Sequence, residues 1–415
     1  MQFKTGTGAV ISMMTVIALW SLSLGVDLPG LAVTPMLDRL DSIFPHASEL
    51  EVQLLTVLPN LMIIPFVLLS GRLSMSRHKM VVIISGIVLY VVCAVWYMLS
   101  SSIDELIVIS SLLGCACGLI LPFSTGLIAN VFTGSYRVTQ MGIVSGIGNG
   151  ALVVATFFVG YLASIDWHLP FLVYLLPAFS LLLLPWIKKA AEMPPAKSTT
   201  TIMQDSDASE AKNDSRVFDG FYVWPTVKLL GSYFFFMYVL SVIPYYGPYL
   251  MTPDHLDTTD IGTVIAVLYL AMFLSGISLT KILRCLRTNT YWLACLAVVA
   301  GLLVFIFLDS FLTYCLGALL VGAGTGALQP VIYDKATEIV NSPNRMIMSM
   351  AVILTANYLA ISLLPIINDF FADLLRCHGL LFPFIFVLIL TVVMTGIAYR
   401  NRRGFVFGIK ESYYN

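Results

Sequence analysis

The chain has 415 residues, 59% of them hydrophobic and 11% charged, with a formal net charge of −1 and a mean hydropathy of +0.91. A soluble domain carries about a quarter charged residues, so this composition excludes a water-facing globular surface and calls for a bilayer as solvent. The near-zero net charge and the lack of a basic stripe exclude a nucleic-acid partner.

A helix needs about 20 apolar residues to cross the hydrocarbon, and the sequence offers twelve such runs. The first, 9–37, follows Lys4 and has no small-residue cleavage site, so it reads as a retained span rather than a signal peptide. Next come 50–71, 80–100, 106–132, 140–164 and 170–187. Lys188 to Asp219 then interrupts the pattern with Pro194-Pro195 and a run rich in Ser, Thr, Asp and Lys, the composition of a flexible linker. The runs resume at 223–250, 261–280, 291–308, 311–333, 347–368 and 380–399. The expected fold is an all-α membrane protein with twelve transmembrane helices in two pseudo-symmetric six-helix bundles. Its parts are residues 1–187, a cytoplasmic linker at 188–222, residues 223–400 and a cytoplasmic tail at 401–415.

Lys and Arg set the orientation. With a cytoplasmic N-terminus, the inner loops hold Arg72, Arg77, Lys79, Arg137, the linker cations, Lys281, Arg284, Arg287 and Arg345, and the tail holds Arg400, Arg402, Arg403 and Lys410. The outer loops keep Arg39 and Arg376 and are otherwise acidic, as at Asp38, Glu105, Asp166 and Asp260. Both termini are therefore expected in the cytoplasm, with the chain in the inner (plasma) membrane. The halves repeat weakly: Gly114, Gly118 and Pro122 recur as Gly322, Gly326 and Pro330 at an offset of 208 residues, which also pairs Asn149 with Asn357. Ser70-Gly71 and Ser275-Gly276 each precede a basic loop.

On these residues the chain resembles the major facilitator superfamily over essentially its whole length. The loop from Gly71 to Lys79 is similar to that family's loop between helices 2 and 3, G-x-L-[AS]-D-R-x-G-R-[RK], with Met75 in the acidic position. Val26-Asp27-Leu28-Pro29-Gly30 resembles the first-helix signature of its twelve-helix drug–proton antiporter branch, and Asp166 to Phe171 resembles the boundary between helices 5 and 6 there. The branch's helix-4 Arg has no counterpart at Ser110–Gly114, and Asn149 stands near where its helix-5 motif has a proline. The resemblance implies alternating access around a cavity lined by helices 1, 4, 7 and 10.

Asp27 is the sharpest single residue. A mid-helix carboxylate in lipid costs about 2.5–3.5 kcal/mol, so it faces a cavity, pairs, or holds a proton; alternatively it sits in water at the outer interface. Asp334 and Glu338, with Lys335, stand at helical spacing near the end of the tenth span, as coupling carboxylates or as an ion network at its mouth. With Trp20, Asp27 and Gln329, the aromatic seventh span supplies a candidate substrate wall in Tyr238, Tyr245 and Tyr246, and Pro244 and Pro248 are expected to break that helix. Asn60, Asn149, Gln329 and Asn357 are neutral polar groups suited to interhelical hydrogen bonds or substrate. Gly142, Gly146 and Gly150 suit close packing, and Gly71, Arg72, Arg77, Gly146, Gly150, Asn149 and Asn357 are the candidate gating set.

The five histidines lie in loops or at membrane edges, and neither a catalytic set, a phosphate-cradling loop nor a metal cage is visible. The expectation is a monomeric, cofactor-free secondary transporter, not an enzyme, whose partners are a small-molecule substrate, protons and the lipid bilayer. Proton-coupled export of amphipathic or aromatic compounds is the first reading. Proton-linked uptake of a small polar metabolite, a sugar or organic acid, is the second, and a non-transporting membrane sensor of the same fold the third.

Overall fold

The computed structural model describes residues 2–6, 10–25, 28–29, 43–44, 49–76, 78–163, 165–194, 217–251 and 258–413. Its helices in chain order are α1 Met13–Ser21, α2 Glu49–Leu73, α3 Lys79–Leu99, α4 Ile103–Val131, α5 Gly134–Ala163, α6 Leu184–Glu192, α7 Val223–Met251, α8 Thr258–Ile277, α9 Leu279–Leu286, α10 Thr290–Phe307, α11 Phe311–Ala336, α12 Met346–Leu375 and α13 Phe382–Arg400. Two short hairpins add to the expected all-α pattern: β1 Gln2–Lys4 with β2 Val10–Ser12, and β3 Val217–Phe218 with β4 Phe221–Tyr222.

Among the described residues ten helices are long and apolar enough to cross a membrane, or eleven if one bent pair counts as a span. These ten fall on the runs expected at 50–164 and 223–399. The sixth run, 170–187, is not one straight helix. A 3-10 segment, Leu169–Ala178, leads to one α-turn at Phe179–Leu182, and α6 departs at 62°. Pro170, Pro177 and Pro185 lack the N–H that a continuous α-helix needs, which accounts for the break. Of the first run, Met13–Gly25 forms α1 and a 3-10 turn, and most of the remainder lies outside the described residues. The expected break in the seventh span is absent: α7 runs through Pro244 and Pro248. Neighbouring helices in a membrane bundle re-satisfy the freed carbonyls.

Polar residues start two of the helices, α4 and α11, by N-capping. Ser102 accepts from the Glu105 N–H at 3.3 Å, and Ser310 forms a reciprocal capping box with Thr313. Between α4 and α5 only Phe132 and Thr133 intervene, and Gly134 turns the chain with a φ of 59°, a conformation that costs a glycine little. The β3–β4 turn is Asp219-Gly220 with φ values of 45° and 77°, as a two-residue type I′ hairpin requires. This hairpin sits on the strand-like segment after α11, with Tyr222 N–H donating to the Ile339 carbonyl at 2.8 Å. Between α5 and the 3-10 segment, the His168 backbone N–H and then its ring hold the exposed Asp166 carboxyl below its ordinary value of 3.8.

By contact the chain divides into two units. One comprises Met1–Phe132, Ala151–Ala196 and Asn344–Leu359; the other comprises Thr133–Gly150, Lys197–Pro343 and Ala360–Asn415. In the first, α2 packs along α4: a Cβ on Gly118 would lie 2.8 Å from the Ile63 carbonyl oxygen, and Ser70 donates to the Leu119 carbonyl at 2.6 Å. In the second, α8 packs along α11 in the same way. A Cβ on Gly326 would lie 2.6 Å from Met272 Cα, and Ser275 donates to the Ala323 carbonyl at 2.9 Å. The repeat seen in the sequence is therefore a repeat of packing. Gly71 and Gly276 extend it, Gly71 lying against Ala351 of α12 and Gly276 against Gly142 of α5.

Candidate functional site

The polar chemistry of the second unit collects between the first half of α5 and α11. The apolar run that marks α5 begins near residue 140, but the helix begins at Gly134. Arg137, counted above among the loop cations, is consequently helical and 4% exposed. Its charge escaped a hydropathy scan that reads polar residues as loop. Arg137 Nε donates to Asp334 Oδ1 at 2.6 Å, and Asp334 has no exposed surface. The second Asp334 oxygen accepts from the Tyr413 hydroxyl. Ionised groups this far from water persist when paired and hydrogen-bonded, because desolvation is otherwise too costly.

Around this pair stands a second layer. Lys335 Nζ donates to the carbonyl of Phe405 and, at 2.5 Å, to that of Gly408. Lys410 pairs with Glu338, which is 4% exposed. Asp334 and Glu338 do not share a helix face as their spacing suggested. α11 ends at Ala336 with Thr337 as its C-cap, so Glu338 lies beyond the helix and the two carboxylates take different cations.

One residue before Asp334, at Tyr333, a ladder of neutral polar groups begins on the same two helices, with α7 contributing one ring. Tyr233 and Tyr333 share a hydroxyl hydrogen bond of 2.9 Å. Gln329 Nε2 donates to Tyr333 at 3.0 Å, and Ser145 donates to Gln329 Oε1 at 3.0 Å. Asn149 reaches back to the Ser145 carbonyl at 2.8 Å. Close approach at Gly142, Gly146 and Gly150 brings α5 against α8: a Cβ on Gly142 would lie 2.6 Å from the Gly276 carbonyl oxygen.

The other expected site residues fall as follows. Asp27 and Arg77 lie outside the described residues. Trp20, in α1 of the first unit, meets Phe3 edge-on at 6.5 Å between ring centroids. In α7, Tyr238 is buried and stacks on Phe234, whereas Tyr245 is exposed and edges onto Tyr246 at 5.1 Å. In the first unit Gly71 is buried, Arg72 is exposed at the end of α2, and Asn357 is buried in α12. Arg137, Ser145, Tyr333, Lys410 and Tyr413 were not singled out as site residues. Two signals were available. Gln329 and Tyr333 stand at i, i+4, and Phe405, Val406, Phe407 and Ile409 are too apolar for a solvated tail.

The sequence matches the profile of the Major Facilitator Superfamily over residues 6–365. The chain belongs to that superfamily. It is thus a multi-pass membrane protein and a secondary transporter working by alternating access, not an enzyme. Two solved structures share its fold with a TM-score of 0.68 each. The human organic anion transporter MFSD10 (TETRAN) is 15% identical, over 92% of this chain and 97% of its own. The proton:xylose symporter XylE, bound to 6-bromo-6-deoxy-D-glucose, is 14% identical, over 94% of this chain and 96% of its own. No curated protein sequence matches this superfamily member significantly.

Proposed function

We propose that this transporter moves a small polar organic solute, a sugar or an organic acid, together with protons. The observation that carries the reading is the ladder Asn149–Ser145–Gln329–Tyr333–Tyr233, whose Tyr333 is the residue before Asp334 of the Arg137–Asp334 pair. The sequence alone puts export of amphipathic or aromatic compounds first, because its spans carry few hydrogen-bonding side chains for a polar solute. The ladder gathers such groups on α5, α11 and α7, which supports a polar solute. The two structural relatives, by their names an organic anion transporter and a proton:xylose symporter, support the same side.

In this proposal two six-helix halves rock about the substrate, and Asp334, Glu338 and Asp27 exchange protons. Protonating Asp334 removes the charge that holds Arg137, so proton binding and helix release become one event. Trp20, Tyr238, Tyr245, Tyr246 and Gln329 contact the solute, and Gly71, Arg72, Arg77, Gly146, Gly150, Asn149 and Asn357 serve the gates. The protein acts as a monomer in the inner membrane, with the N-terminus and residues 401–415 in the cytoplasm. The aromatic face of Tyr238, Tyr245 and Tyr246 favours, as a second reading, proton-driven export of aromatic compounds.

The test uses purified protein in liposomes with an acid exterior, and labelled xylose, small carboxylates and a lipophilic aromatic cation in turn. Accumulation of a sugar or carboxylate above its external concentration, abolished by a protonophore, is the expected result. Exclusion of the aromatic cation, with no accumulation of polar solutes, would replace the first reading with the second.

A further inference from the structure

The segment after α13 does not behave as a solvated tail. Val406, Ile409 and Tyr413 are buried. Ile409 and Tyr413 share an apolar cluster with Val138 of α5, Leu279 and Leu283 of α9, and Val331 of α11. Each polar tie from the segment ends on the last turn of α11 or just past it: Tyr413 on Asp334, the Phe405 and Gly408 carbonyls on Lys335, and Lys410 on Glu338. An apolar plug needs no such ties. All four converge on two carboxylates and a lysine, Asp334, Lys335 and Glu338, at or just past the end of one helix.

We propose that Phe405–Tyr413 is a latch. Tyr413 and Lys410 are positioning residues that hold Asp334 and Glu338 in their paired, ionised arrangement, and the segment undocks from α9 and α11 when Asp334 releases Arg137. The reasoning is one of donors and acceptors. The Tyr413 hydroxyl donates to a carboxylate, and a protonated Asp334 has a hydrogen of its own to place. Proton uptake thus turns the charged acceptor that docks the segment into a weaker, neutral one and, in the same event, removes the charge that holds α5. The groups facing this point are Arg137 from α5, Lys335 and Glu338 from α11 and its end, and Lys410 and Tyr413 from the segment. α9 turns leucines inward and leaves Lys281 and Arg284 exposed. The backbone of the segment favours release as a unit: turns and one 3-10 turn, Glu411–Tyr413, carry it, and the Lys410 side chain keeps about a third of its surface in water.

The latch rests on the reading of Asp334 as a coupling carboxylate for its place in the cycle, but its docking can be measured without any solute. The parent is the full chain with the exposed Cys285 and Cys377 changed to Ser and with Ile409→Cys as the reporter. Reaction with a membrane-impermeant maleimide is expected to be slow in the parent, because the Ile409 position is buried. Tyr413→Phe, which keeps the Arg137–Asp334 pair, is expected to raise the labelling rate about tenfold, as loss of a hydrogen bond to a charged group implies. Asp334→Asn is expected to raise it at least as much. Cys295, fully buried in α10, reports the fold and should stay unlabelled in all three proteins. Unchanged labelling of Ile409→Cys in both variants, or fast labelling in the parent, overturns the latch and leaves proton coupling standing. Latch release in Asp334→Asn alongside undiminished proton movement would instead overturn the coupling role and keep the latch.

Discussion

Replacing Arg137 by Leu leaves the Asp334 carboxylate fully buried with Tyr413 as its remaining side-chain donor. Removing one partner of a buried ion pair costs about 3–5 kcal/mol, because the survivor stays buried and uncompensated. The Tyr413 hydrogen bond, a donor to a charged group worth about 1.5–3 kcal/mol, places the Arg137→Leu loss near the lower end of that range. Asp334→Leu strands a guanidinium that is 4% exposed and should cost a similar amount. The double variant sets two apolar side chains against each other, an exchange that is often close to neutral. The account therefore predicts a coupling energy of at least about 2 kcal/mol, against about 0.3–0.5 kcal/mol for independent sites. The assay is thermal unfolding of detergent-purified protein at fixed scan rate, read by a thiol-reactive dye on the buried cysteines. At roughly 2–4 °C per kcal/mol for a unit of this size, each single variant should lose at least about 6 °C and the double variant less than either. A double variant that falls by the sum of the two singles would refute the reasoning.

Gly142→Ala should destabilise by about 1–3 kcal/mol through overpacking, and more than Gly146→Ala. A Cβ meets the Gly276 carbonyl oxygen at 2.6 Å in the first case, and in the second only the Ile277 side chain at 3.1 Å and the Phe273 carbonyl oxygen at 3.2 Å, and the order of melting temperatures checks this. Tyr333→Phe breaks the ladder where one hydroxyl meets both Gln329 and Tyr233. It should cost about 1 kcal/mol of stability and raise the KM for a polar solute more than it lowers the maximal rate. Asp166 has a lowered folded pKa, so its contribution is present at neutral pH and is lost as pH falls below 3.8. The melting difference between wild type and Asp166→Asn should therefore be flat near neutrality and shrink in acid; a difference that grows in acid would contradict the sign.

Span-forming segments were legible because lipid demands long apolar runs and nothing else in this sequence competes with that signal. The internal repeat was legible too: Gly118 and Gly326 do the same packing work in their two units. Hydropathy fails where a charge is buried rather than solvated. Arg137 reads as a positive-inside loop residue and Lys410 as a tail residue because a one-dimensional scan cannot see Asp334 and Glu338 opposite them. The same blindness hid Tyr413, which lies 79 residues from Asp334 in sequence. The bend at α6 was written in three prolines, but a run of apolar residues outweighed them in the scan. Gln329 stood out as a polar residue in a span; its partner Ser145 lies 184 residues away, and only folding joins them.

Proton movement into liposomes carrying an internal pH-sensitive dye tests the central claim most directly, with wild type, Asp334→Asn and Asp27→Asn compared as each candidate sugar and carboxylate is added outside. The account predicts solute-triggered acidification in the wild type that is lost in Asp334→Asn. Equal acidification in the wild type and Asp334→Asn would contradict it, and a loss confined to Asp27→Asn would move the coupling site to the first span.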